Sequence, residues 1–353
     1  MANQNVRAAR SSEPPALDWM SRTLQWGTRV RPDKGGVTLG ALNVGIYGDI
    51  PDEWDDMTRM PRGAFPLRGV PAIGGYTQRR KADLWADNAA ELYEEAISRG
   101  WVPARDVPWD QAMPLAEDVE LAMAQVCTEL SQDASIETEV LSGWLQELSF
   151  GYHEIKLFLA TEVFDAGRHF ELFRKRALIN GAGLRLESPG QVNRMLLESR
   201  AGWTETSILL HLLRGCFTQT VYRYCAAYAP TDADAFIFRG ALQDKARHLA
   251  YGMQHLRYAI AHRPDFDEQV QRFMTGAELS VTRDDADPVL WEALAIVFGR
   301  GIRHMDTGMN VVSRMRQDYV RTYLDRMKWA GIDRHARLLP AFASVLDLAT
   351  SAA

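Results

Sequence analysis

Phe164-Asp165-Ala166-Gly167-Arg168-His169 and Gln243-Asp244-Lys245-Ala246-Arg247-His248 lie 79 residues apart and share one pattern, D-x-x-R-H. On a helix, residues three and four apart share a face, so the Asp, Arg and His of each copy project from one side. A single His on a helix is most often a satisfied core residue. Two copies at matching places in two helix hairpins weigh against that reading.

The surroundings read as helix. Apolar residues recur at spacings of three and four from Lys81 onward, and the pattern gives helices at about 81–99, 115–146, 151–181, 189–199, 204–229, 232–262, 265–282, 287–306, 308–330 and 335–350. Breaks fall at Pro103, Pro108, Gly151, Gly181-Ala182-Gly183, Pro230, Pro264 and Pro288. No stretch alternates with period two for long enough to demand a sheet. Two long helices, a broken connection and two more long helices are the pattern of a bundle with one crossover, the D-x-x-R-H copies standing on the second and fourth.

Residues 1–78 differ in texture. Gly and Pro are frequent and no helical stripe is sustained, yet Trp19, Trp26, Tyr47, Trp54 and Phe65 offer anchors. The expectation is an irregular arm that packs along a larger body or a partner, followed by a bundle at 79–263 and helices at 264–353 that pack on it. Of 353 residues, 46% are hydrophobic and 24% charged, which is a globular composition. The net charge of −6 argues against a nucleic-acid footprint, which needs a clustered basic face. Arg300, Arg303, Arg314, Arg316, Arg321 and Arg326 are interrupted by Asp306, Asp318 and Asp325 and read as a solvated or partner-binding face.

Cys127, Cys216 and Cys225 have no C-x-x-C spacing, so neither a disulfide framework nor a zinc knuckle is expected. With no apolar leader and no run of 18 apolar residues, the reading is a cytoplasmic protein without a membrane span. P-loop, dinucleotide-fingerprint, G-x-S-x-G and H-E-x-x-H motifs are missing from the sequence, which leaves nucleotide-hydrolase, dehydrogenase and serine-hydrolase readings without support.

The paired D-x-x-R-H resembles the ferritin-like di-iron carboxylate superfamily, whose oxygenases carry D-E-x-R-H on the second and fourth helices of a four-helix bundle. The resemblance runs from about Lys81 to Arg263. It implies an all-α, ferritin-like four-helix bundle with one crossover, extra flanking helices and an irregular N-terminal arm. The family's metal pair takes a Glu from each of two helices and Glu-x-x-His from each of the others. It also implies that Asp165 and Asp244 each accept from the opposite histidine, with Arg168 and Arg247 beside them.

Where the family has its acids, this sequence has Ala166 and Lys245, and Arg214 stands where the third helix should offer a Glu. On the first helix, Asp133 and Glu137 flank the expected place. The expectation is a site that has exchanged metal charge for fixed cations, Lys245 and Arg214 pairing with Asp165 and Asp244, with no metal and no cofactor. By resemblance this implies a non-catalytic structural or regulatory subunit of an oxygenase-type complex, its partner a second copy or a catalytic oxygenase subunit.

The alternative is an oxygen-dependent oxidoreductase, a hydroxylase or N-oxygenase, holding two iron ions with His169, His248, Glu137 and Asp133. Glu162 and Glu205 are further acids open to it. A metal-free radical protein, as in some ribonucleotide reductase small subunits, would need a Tyr one turn after the first His. That position is Phe173, and Tyr251 is the nearest substitute. His153, His211 and His255 read as core or surface residues, and Met305, Met309, Met315, Met327 and Trp329 as a core or subunit face.

Overall fold

Two helix hairpins carry the repeat. The computed structural model describes residues 17–22, 25–54, 68–70, 74–188 and 190–347, and the chain divides into two compact units, 1–49 and 50–353. The first unit, where described, holds short 3-10 turns at Asp18–Ser21, Leu39–Leu42 and Gly45–Tyr47. Trp26 there is 89% exposed, while Phe65 and the side chain of Trp19 lie outside the described residues.

In the second unit the helices are α1 (Ala89–Ser98), α2 (Pro103–Asp106), α3 (Glu117–Glu147), α4 (His153–Ile179) and α5 (Gln191–Glu198). Then comes α6, which joins Trp203–Ser207, Ile208–Arg214 and Gly215–Ala227 without a break. It is followed by α7 (Asp232–His262), α8 (Phe266–Asp284), α9 (Val289–Gly299), α10 (Met305–Trp329) and α11 (Pro340–Asp347). α3 packs along α4 and α6 along α7, while α9 and α10 form a further pair against α3 and α6. Glu117, Asp118 and Glu120 in the first turn of α3 complement its positive end, and Thr231 caps α7 by accepting from the Asp234 amide at 3.1 Å. Among the described residues there is no strand, only isolated bridges such as Gln78 with Leu148, and no helix is long and apolar enough to cross a membrane.

Three boundaries depart from the periodicity. The helix expected from 81 begins only at Ala89, because the carbonyls of Leu84 and Trp85 are taken by the Tyr251 hydroxyl (2.9 Å) and His255 Nδ1 (3.0 Å) of α7 instead of by a helical ladder. The helix expected over 204–229 contains a π-helical stretch, Ile208–Arg214. α9 stops at Gly299 because Arg300 turns left-handed (φ 63°), and the next helix starts at Met305.

From the segment before α1, Trp54 packs edge-on to Tyr152 at 6.4 Å, and the Tyr152 hydroxyl donates to the Arg79 carbonyl at 2.9 Å. Met315 and Met327 are buried, as a core face requires, whereas Trp329 is half exposed beneath the Arg257 guanidinium.

The core consists of two apolar clusters. Along α4, Ile155, Phe158 and Leu159 belong to one and Leu172, Phe173 and Ala177 to the other. Along α7, Ile237, Phe238 and Ala241 belong to the second and Leu249, Leu256 and Ala259 to the first. Along α3 the change falls between Leu130 and Val140. The D-x-x-R-H residues stand at these changeovers, so a polar layer crosses the bundle between two oily halves.

Candidate functional site

Asp165 and Asp244 are the hubs of that layer, buried with 3% and 0% exposure. Arg168 bonds its own Asp165 and reaches Asp244 Oδ2 at 2.8 Å; Arg247 bonds its own Asp244 at 2.6 Å and reaches Asp165 Oδ2 at 2.9 Å. The histidines cross in the same way, His169 Nε2 to Asp244 at 3.0 Å and His248 Nε2 to Asp165 at 3.0 Å. Trp101 closes one side, its indole N–H on Asp244 at 3.1 Å and its carbonyl accepting from Arg168 at 3.2 Å. Nothing in the pattern around Trp101 marked it beforehand.

The inner edge is not symmetric. His248 Nδ1 lies 3.2 Å from Glu137 Oε1, and the Lys245 ammonium bonds the other oxygen of the same carboxylate. Arg214 stands 2.9 Å from Asp133. Lys245 and Arg214 therefore pair with the acids of α3 and not with Asp165 and Asp244, because the neighbouring arginines already occupy those two. His169 Nδ1 has no hydrogen-bond partner, and Ala166, fully buried, presents only a methyl group.

Charge sets the protonation. Burial opposes the His248 cation, but the Glu162 charge and the bonds to Asp165 and Glu137 outweigh it and raise its pKa to about 9. His169 moves the other way, because burial exceeds the help it gets from Asp244. Burial alone would raise Glu137, yet Lys245 and His248 hold it well below the usual carboxylate range, and Asp244 is likewise lowered by His169 and the two arginines. Counting Asp133, Glu137, Glu162, Asp165 and Asp244 against Arg168, Arg214, Lys245, Arg247 and a protonated His248, the layer is formally neutral.

Next to it, the π-helical stretch brings His211 against α7. A Cβ on Gly252 would stand 2.3 Å from that of His211, so only glycine allows the approach. His211 links Ser207 (2.8 Å) to Glu162 (3.1 Å). The order Ser, His, acid is that of an activated nucleophile, but all three are fully buried, and the hydroxyl has no access to a substrate. His255 bonds Thr204 and the Trp85 carbonyl, Glu205 bonds Gln269, and His153 is half-buried beside Glu154. Tyr251 donates to the Leu84 carbonyl and accepts from Trp203, and burial raises its pKa well above the ordinary tyrosine value.

These residues do not fit a metal pair. Such a site needs carboxylates and imidazole nitrogens free to converge on the ions. Here Glu137 is engaged by the Lys245 ammonium, Asp133 by the Arg214 guanidinium, and position 166 has no donor atom. Among the described residues, no group of three or more His, Cys, Asp or Glu side chains is placed to hold a metal ion.

No protein-family model and no curated protein matches the sequence. Solved structures do. A single-residue variant of an R2-like ligand-binding oxidase with an aerobically reconstituted Mn/Fe cofactor is 18% identical, with 71% of this chain and 95% of that one covered and a TM-score of 0.51. Another variant, with an anaerobically reconstituted Mn/Fe cofactor, is 18% identical over 69% of this chain and 93% of that one, at a TM-score of 0.50. At this identity the likeness speaks for the fold alone: the chain has a ferritin-like helical-bundle fold.

Proposed function

We propose that this chain is a ferritin-like protein in which fixed side-chain charges stand in place of a metal pair, and that it acts as a non-catalytic structural or regulatory subunit beside an oxygenase-type catalytic protein. The observation that carries the reading is the Lys245 ammonium on Glu137, inside a layer whose formal charges balance without an ion. A buried carboxylate stripped of its cation costs several kcal/mol, so an ammonium at this point keeps the polar layer while removing the need for metal. The working surfaces on this reading are the outside of the bundle and the segments before α1.

Lys245→Glu tests it. The proposal expects a destabilised fold, unchanged metal affinity and no oxygen uptake with Fe(II) and a reductant. The second reading, an oxidoreductase with an atypical metal set, draws on two buried atoms without partners, His169 Nδ1 and Glu162 Oε1. It expects the same variant to gain metal affinity with little loss of stability, and oxygen-dependent turnover by this chain alone would establish it over the first.

A further inference from the structure

α4 carries apolar residues on two sides. Inward it gives Phe158, Leu159, Leu172 and Phe173 to the core. Outward, Leu157, Ala160, Phe164, Gly167, Glu171 and Leu178 follow one another at heptad spacing, and none of them is buried. Phe164 is 67% and Leu178 50% exposed. A surface helix of a bundle ordinarily turns polar residues to this side, so the stripe lacks the cover its composition calls for.

The apolar surface continues past the helix. The Arg168 guanidinium lies over both the Phe164 ring (5.4 Å) and the Trp101 ring (4.8 Å), and Val102, next in the chain, is exposed. At the other end Asn180 donates to the carbonyl of Met113 (3.4 Å), a further exposed residue. At about 1.5 Å per residue the stripe from Leu157 to Leu178 is about 32 Å long, and over roughly two helix diameters it offers about 650 Å2. Two such faces bury about 1,300 Å2, the size of a stable interface and more than monomers ordinarily leave open as one apolar patch.

Charge selects the occupant. The Lys175 ammonium is paired with Glu171, Arg174 lies over the Phe170 ring (5.2 Å) and Lys156 over the Tyr76 ring (4.8 Å), so the charges along the face are engaged within the chain and call for no charged partner. The stripe is also self-complementary in one direction only. A parallel copy would set Glu171 against Glu171 and Arg174 against Arg174, which costs like-charge repulsion. An antiparallel copy, centred between Gly167 and Arg168, sets Leu157 against Leu178 twice, Phe164 against Glu171 and Ala160 against Lys175, with no like charges opposed.

We propose that the outer face of α4 is where two copies of this chain meet, the helices antiparallel across a two-fold axis near Gly167. The inference goes beyond the metal-free reading and does not rest on it.

Sedimentation of the full chain and of Phe164→Glu tests the face, and oxidative cross-linking tests the direction. The parent should be a dimer, and Phe164→Glu, at an exposed site that leaves the core untouched, should raise the dissociation constant at least about tenfold while keeping the helical circular dichroism. Leu157→Cys with Leu178→Cys in one chain should give a covalent dimer on mild oxidation. The two positions of a single chain are about 32 Å apart and cannot bridge each other, and Cys127, Cys216 and Cys225 are buried. A parent that stays monomeric at about 100 μM would overturn the proposal and leave the face to a different protein. A dimer of undiminished affinity in Phe164→Glu, or cross-linking by Leu157→Cys alone as complete as by the pair, would overturn it as well. None of these outcomes alters the metal content of the protein, so this inference and the proposed function fail separately.

Discussion

The two D-x-x-R-H copies obey one rule on their outer side and different rules on their inner side. On α4 and α7 alike, each arginine bonds both aspartates, and each histidine gives its Nε2 to the aspartate of the other helix. Inward, His248 meets Glu137 beside Lys245, whereas His169 Nδ1 has no partner beside Ala166. The residue three before each His makes the difference. On the proposed reading, the crossed outer ladder is a structural device that survives without a metal, and the inner edge is where fixed cations take the place of the charge that a metal would supply.

The largest expected effect breaks the inner edge of the α7 copy. Lys245→Ala leaves Glu137 buried without its ammonium and should cost about 3–5 kcal/mol, read from urea unfolding. A loss under about 1 kcal/mol would mean that the ion pair does not hold the layer.

The second prediction uses pH, because the two histidines act on opposite limbs. His248 has a folded-state pKa of about 9 against 6.5 unfolded, so its stabilisation is complete below 6.5 and is lost as pH rises through about 9. At 1.36 kcal/mol per unit, this term reaches about 3 kcal/mol. His248→Gln should flatten stability between pH 6.5 and 9. His169 is lowered, so its contribution is present above 6.5 and falls away as pH drops, and His169→Gln should change only the acid limb. An alkaline slope that survives His248→Gln would sink the assignment.

Two glycines sharpen the contrast at smaller scale. Gly252→Ala on α7 drives a methyl into His211 and should cost about 1–3 kcal/mol by overpacking. On α4 nothing stands within 4 Å of a Cβ at Gly167, so Gly167→Ala should stabilise the protein by about 0.5–1 kcal/mol through helix propensity. Thermal melts of the two variants should move in opposite directions.

The helical class and the two hairpins were legible in the sequence because apolar spacing and proline breaks are local properties. The crossed ladder was legible through the family resemblance, on the repeated Asp and His. Pairing at the inner edge was not, because which acid a buried cation meets depends on helix register: Asp133 and Glu137 are one turn apart, and the three-dimensional packing of α3 decides that one faces Arg214 and the other Lys245. The π-helical stretch in α6 was hidden for a similar reason, since its close approach to Gly252 is a contact between distant segments. Trp101 carried no local mark, its partners being set by tertiary packing alone.

The most direct test of the account is metal stoichiometry. The intact chain would be incubated anaerobically with Fe(II) and Mn(II), freed of excess and submitted to elemental analysis. A charge layer that is neutral by itself predicts retention of well under one ion per chain, whereas two ions per chain would contradict it and turn attention to oxygen chemistry at His169 and His248.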